Sequence, residues 1–131
     1  NAKFDRYATA LGRRGFGRWL VETQDGNFVG YAGVLMARPE HPLGEHFEIG
    51  WRLVRSAWGR GYATEAAKAA LADAFSRGRM KEVLAYTASD NVRSQAVMER
   101  LGLERDPARD FTATYDRGEW RGLVWFARHR A

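Results

Sequence analysis

Cysteine is absent from this 131-residue chain, which removes disulfides, thiolate nucleophiles and cysteine-based metal sites at once. Histidine is scarce, and His41, His46 and His129 show no metal-ligand spacing. No apolar run approaches the roughly 18 residues that cross a bilayer, and nothing resembles a secretory leader. A cytoplasmic setting without a membrane partner is the default expectation. Lysine is nearly missing too. Only Lys3, Lys68 and Lys81 occur, so arginine carries almost all of the net charge of +5. That excess fits nucleic acid, an acidic partner, an anionic small molecule, or simply a solvated basic surface. No run of like charge is long enough to make a nucleic-acid tail. The chain also lacks internal repeats, low-complexity tracts and linkers.

What remains is an ordinary globular composition, 45% hydrophobic and 28% charged, at a length that fits one domain with its own core. In residues 3–14, Phe4, Tyr7, Ala8 and Leu11 fall at helical spacing, and Gly15 and Gly17 end that helix. Residues 18–23 and 28–36 read as a strand pair joined through Gln24-Asp25-Gly26-Asn27. Pro39 and Pro42 mark a loop. From Glu45 to Val54 the pattern alternates, with Phe47, Ile49, Trp51 and Leu53 on one face and His46, Glu48, Gly50 and Arg52 on the other. A helix follows over about 61–77, with an alanine-rich inner stripe from Ala63 to Phe75. A strand at 82–88 and a helix at 92–101, stopped by Gly102, come next. Strands at 111–115 and 121–127, split by a turn at Asp116-Arg117-Gly118-Glu119, close the chain. The expected fold is an α/β (α+β) domain around one mixed, mostly antiparallel sheet.

The most informative stretch is Arg55-Ser-Ala-Trp-Gly-Arg-Gly-Tyr-Ala-Thr-Glu-Ala66. Glycines at 59 and 61 let a ligand approach the backbone, and the helix start offers unpaired N–H groups and a favourable dipole. This is the pattern of an anion cradle. A plain strand-to-helix turn is the simpler alternative. The Gly-Lys-Ser/Thr of a nucleoside-triphosphate loop and the third glycine of a dinucleotide fingerprint are both absent.

Glu48-Ile-Gly-Trp-Arg-Leu53, followed by Trp58-Gly-Arg-Gly-Tyr-Ala-Thr-Glu-Ala66, resembles the strand, pyrophosphate loop and helix start of the GNAT superfamily of acyl-CoA-dependent N-acetyltransferases. Asn91-Val-Arg-Ser-Gln-Ala-Val-Met-Glu-Arg-Leu-Gly-Leu103 resembles that family's second signature. The nearer similarity is to the branch related to enzymes that acetylate ribosomal-protein N-termini. The resemblance covers roughly residues 17–105, and the two motifs occur in the right order.

It implies acetyl-CoA as co-substrate and an amine acceptor as the second partner. Cofactor contacts are then expected from Leu53, Val54, Arg55, Trp58, Gly59, Arg60, Gly61, Tyr62, Ala63, Thr64, Asn91 and Ser94. The pantetheine arm is implied to lie beside the 45–54 strand, where it splays from 82–88, with a backbone N–H near Leu53 at the thioester carbonyl. Glu48 is the candidate base, against a surface carboxylate paired with Arg52. Asn91 is expected either on the pantetheine arm or as an N-cap. Ser94 is the candidate donor to the departing thiolate, against an ordinary first-turn serine. Many members carry a tyrosine for that role where this chain has Met98, so Tyr86 and Tyr115 are fallback donors. Trp51 is expected in the core, Trp58 packed under the loop, and Trp120, Trp125 and Phe126 in sheet packing near the acceptor side.

The family also has a strand upstream of residue 18, where this sequence reads as helix. That strand is expected to be missing, relocated or outside the sequence, in a domain lacking part of its front end. Met98 and this front end motivate the alternative of a non-catalytic acyl-CoA-binding or regulatory module. Monomer and homodimer both stay open, an incomplete sheet edge favouring a second chain.

Overall fold

The computed structural model describes residues 2–6, 18–115 and 118–129. Eight strands form one sheet: β1 (Ala2–Arg6), β2 (Arg18–Thr23), β3 (Phe28–Met36), β4 (Phe47–Leu53), β5 (Glu82–Ala88), β6 (Glu104–Arg105), β7 (Phe111–Tyr115) and β8 (Gly118–Arg128). Their order is β1-β2-β3-β4-β5-β8-β6, with β7 also paired to β8. Helix α1 (Tyr62–Ser76) connects β4 to β5, and α2 (Val92–Arg100) follows β5. All pairs are antiparallel except β4–β5, which the α1 crossover makes parallel.

The front of the chain departs from the sequence reading. Residues 2–6 are a strand, paired from Ala2–Thr23 through Arg6–Trp19, and not the start of a helix. Ala-Lys-Phe-Asp-Arg alternates as well as it spirals, and five residues are too few for periodicity to choose. Pairing along the edge of β2 decides. A strand upstream of residue 18 is therefore present in the sheet, and the rest of the expected helix, 7–14, lies outside the described residues. The hairpin at 24–27 forms as expected. Gly26 at φ 86 makes the reversal, and Thr23 and Asn27 close it with a 3.0 Å backbone bond. The turn ahead of β8 is shorter than read, because Gly118 and Glu119 already pair with Tyr115 and Thr114. Asp116 and Arg117 lie outside the described residues.

The core sits between the sheet and α1. Ala66, Ala67, Ala70, Leu71 and Ala74 are buried, the inner stripe read from the sequence. Alanine has no side chain beyond Cβ, so α1 lies close to the sheet over Val34, Ile49, Val83 and Ala85. Because side chains alternate along strands, this places Ile49 and Ala85 on the helix-covered face and Glu48, Leu84 and Tyr86 on the opposite one. Trp125 is in the core, whereas Trp51 is only half-buried against it.

Candidate active site at a strand fork

Strands β4 and β5 do not stay together. Their one registered pair among the described residues is Glu48 opposite Leu84, beyond which they diverge. Val54 gives its N–H to the Val29 carbonyl at 2.9 Å, so the even-numbered residues of β4 bond to β3. The amides of Trp51 and Leu53 therefore face the fork.

The fork opens into a cavity of about 570 Å³ on the helix-covered side. Its floor is Trp51 and Leu53 from β4; its walls are Gly59, Gly61 and the first residues of α1, and, from α2, Arg93, Ser94, Val97 and Arg100. Two glycines shape the near wall. Gly59 at φ 77 and Gly61 at φ 80 sit in the left-handed region that side chains disfavour. The first intrahelical bond of α1 runs from Glu65 N–H to Gly61 carbonyl, so the amides of Tyr62, Ala63 and Thr64 have no partner inside the helix. The Oγ1 of Thr64 is buried and has no hydrogen-bond partner among the described residues. Arg93 and Arg100 line the cavity from α2, and no carboxylate among the described residues does. Amide donors, a helix dipole and guanidinium groups without a balancing acid are the chemistry of a polyanion site.

Of the expected contact residues, Leu53, Trp58, Gly59, Gly61, Tyr62, Ala63, Thr64, Asn91 and Ser94 all line this cavity. Val54 and Arg60 instead line a separate hollow of about 320 Å³ beside Phe28. Arg55 lines neither. Trp58 does not pack under its loop. It is 40% exposed at the cavity rim, with the Arg93 guanidinium 4.4 Å and the Arg55 guanidinium 5.5 Å from the ring centroid. A bond of 3.1 Å from its indole N–H to the Leu53 carbonyl holds it there, and cation–π attraction on an open ring replaces burial. Asn91 caps α2, its Oδ1 accepting the Ser94 N–H at 3.2 Å, and still borders the cavity. Arg93, Val97 and Arg100 were not foreseen. Their i, i+4, i+7 spacing puts them on one face of α2, a signal available once both walls are known.

Glu48 lies on the other face of the sheet, at the vertex. There the Tyr86 hydroxyl donates to Glu48 Oε2, and His46 Nε2 lies 3.2 Å from the same hydroxyl. His41 packs edge-on to His46, with ring centroids 4.9 Å apart, and against Tyr86 and Phe111. Burial first, and then the neighbouring His46, push the His41 imidazole below its ordinary value. Phe111 fits because residue 122 is glycine: a Cβ there would lie 2.5 Å from the Phe111 ring. Trp120 packs on Phe111, as expected near this face. Asp110 braces the assembly from behind, binding Arg105 in a fork at 2.6 Å and accepting the Val124 N–H at 3.0 Å. The Arg105 hydrogen bond holds the Asp110 carboxyl below the usual carboxylate range. Met98 is fully buried in the core and offers no proton. Nothing is described of the Tyr115 side chain.

A sheet forked over a cationic, amide-lined cavity on one face, with a carboxylate at the vertex on the other, defines an α/β domain with a site suited to a polyanionic ligand. Residues 1–104 match the Acetyltransferase (GNAT) domain, and the chain belongs to that family. The FsC-acetyl coenzyme A-N(2)-transacetylase of Aspergillus fumigatus is 38% identical over 94 residues, covering 68% of this chain and 39% of that protein. Protein YkkB of Bacillus subtilis is 32% identical over 90 residues, 68% of this chain and 51% of that one. The chain thus spans about half or less of the curated relatives it matches. An acetyltransferase from Agrobacterium tumefaciens superposes with a TM-score of 0.68 at 30% identity, over 87% of this chain and 61% of that one. The ribosomal-protein-S5-alanine acetyltransferase of Vibrio fischeri reaches 0.72 at 13% identity, over 86% and 61%, a likeness of fold alone.

Proposed function

We propose that this domain transfers an acetyl group from acetyl-CoA to a primary amine by direct attack in a ternary complex. The observation that carries the reading is the β4–β5 fork, open to an acid-free cavity on one face and to Glu48 on the other. Acetyl-CoA supplies the activated thioester and a diphosphate-bearing handle. The amides of Gly59 through Thr64 cradle the diphosphate, each charge–dipole contact contributing roughly 0.3–1 kcal/mol. Arg93 and Arg100 balance its charge, and Asn91 and Ser94 border the arm. The Leu53 N–H faces the fork, where it can hold a developing oxyanion. Glu48 takes the proton that the acceptor ammonium must lose before its nitrogen is nucleophilic. Ser94, half-buried on the cavity wall, donates to the leaving thiolate.

The paired motifs resemble the branch that acetylates protein N-termini, which makes a peptide α-amine the first acceptor to try. Calorimetry with acetyl-CoA comes before that. At about 100 times its dissociation constant the ligand adds roughly 2.7 kcal/mol of stability, and neither heat nor thermal shift would end the proposal. Release of CoA thiol across a panel of peptides, polyamines and small amines then reads turnover. Glu48→Gln is expected to lower kcat by about 10²- to 10⁴-fold with acetyl-CoA affinity unchanged. A module that holds acyl-CoA without turnover is the second reading, favoured by Met98 standing buried at the family's donor position. Turnover that disappears with Glu48 rejects it.

A further inference from the structure

Three side chains from separate segments form a chain at the vertex: His46 before β4, Tyr86 on β5 and Glu48 on β4. Their hydrogens can be counted. His46 Nδ1 lies 2.7 Å from the Gly44 carbonyl, which only accepts, so Nδ1 carries a hydrogen. Neutral His46 therefore turns a lone pair on Nε2 toward the Tyr86 oxygen. Tyr86 has a single hydroxyl hydrogen to serve two contacts. When it donates to Glu48, the His46 contact is satisfied only by a second hydrogen on Nε2. When it donates to Nε2, the Glu48 contact is satisfied only by a protonated carboxyl. The chain is complete in both directions with one mobile proton aboard, and the two forms differ by a shift of hydrogens along it.

Building on the acetyl-transfer reading, we propose that His46, through Tyr86, is the proton exit of the acceptor site. An ammonium at the fork gives its proton to the Glu48 carboxylate. Glu48 passes a proton to the Tyr86 oxygen as the Tyr86 hydroxyl hydrogen moves to His46 Nε2. The products are a neutral amine, a regenerated carboxylate and an imidazolium, and a solvent base then removes the Nε2 hydrogen. No charge accumulates on Glu48 or Tyr86. Tyr86 and His46 are positioning residues, because they act through Glu48. Among the described residues, the contacts of His46 are with Gly44 and His41 from its own loop and with Tyr86 from β5. His41 does not compete. Its Nδ1 accepts the Leu43 N–H at 3.0 Å, which needs that nitrogen bare. A second cation 4.9 Å from an imidazolium is also unfavourable.

Two measurements test this, one of them without catalysis. Long-range ¹H–¹⁵N spectra of histidine-labelled protein, assigned with His41→Asn, should show neutral His46 in the Nδ1–H form. Its Nε2 resonance should shift in Tyr86→Phe, which deletes only the hydroxyl, and in Glu48→Gln at the far end of the chain. With the fastest acceptor of the amine panel, Tyr86→Phe and His46→Gln should each lower kcat about tenfold or more and move the acid limb of kcat/KM. Acetyl-CoA affinity by calorimetry should stay within about twofold, since these residues lie across the sheet from the cavity. A His46 Nε2 resonance that ignores both Tyr86→Phe and Glu48→Gln, or wild-type rate–pH profiles in Tyr86→Phe and His46→Gln, overturns the relay. Failure of all variants and wild type to turn over any amine would defeat the acetyl-transfer reading instead, and the spectra would still decide the coupling.

Discussion

The two faces of the fork are built on opposite plans. The cavity face takes most of its chemistry from two contiguous stretches, 58–64 and 91–100, and from backbone amides that any sequence with glycines at 59 and 61 exposes. The vertex face assembles His41 and His46 from a loop, Glu48 from β4, Tyr86 from β5 and Phe111 from β7, and its functional groups are all side chains. Backbone chemistry tolerates change in side chains so long as the path of the chain holds. Side-chain chemistry fails with one atom. On the acetyl-transfer proposal, a common carrier is gripped by a fixed cradle while the face opposite is free to vary.

Perturbing one face and reading both sharpens that contrast. The largest effect is expected from Asp110→Asn, which removes the charge from the Arg105 fork and leaves the polar groups around it mismatched. A loss of about 2 kcal/mol in the denaturant midpoint analysis is expected, with weakened turnover and little change in acetyl-CoA affinity. If carrier binding falls in step with turnover, the two faces are not independent. Gly61→Val attacks the other side. A β-branched side chain at φ 80 is strained by about 1–2 kcal/mol, so calorimetry should show acetyl-CoA binding weakened about tenfold or more. The coupling of His46 to Tyr86 should persist. Trp58→Ala frees Arg93 from its aromatic platform at the rim and should weaken acetyl-CoA binding by less than tenfold, an effect that added salt diminishes.

The smallest effect is read by pH, on the vertex side and its support. Asp110 and Glu82 are both held below the usual carboxylate range, each chiefly by an arginine hydrogen bond. Their stabilisation is complete above the unfolded carboxylate value, near pH 4, and is lost as pH falls through their lower folded values. His41 is also depressed, so the unfolded chain takes up its proton first and stability declines once pH drops below about 6.5. Melting curves from pH 7 to 3 should show a shallow early loss that His41→Asn abolishes, then a steeper one that Asp110→Asn reduces. A single transition near pH 4, unchanged in both variants, would contradict these assignments.

Legibility in the sequence followed the same divide. β2, β3 and β7 carry the boundaries expected from alternation, and α1 and α2 lie within a residue of theirs. The cradle was readable because Gly59, Gly61 and the following alanines are neighbours in the chain. The front strand was not, since five residues cannot declare their own period and only β2 could choose for them. Tyr86 was known only as an unplaced hydroxyl. Alternation alone assigns Tyr86 and Glu48 to one face, but 38 residues separate them, and only the parallel pair at Glu48–Leu84 brings them into reach.

By itself, the order of residues determined that amides without helical partners gather where α1 begins, because helix starts and glycine turns are local consequences of local chemistry. The folded sheet alone decided which carboxylate, phenol and imidazole lie within reach of one another. Such groupings depend on how strands from distant segments are laid side by side and where they part, and no window along the chain contains that information.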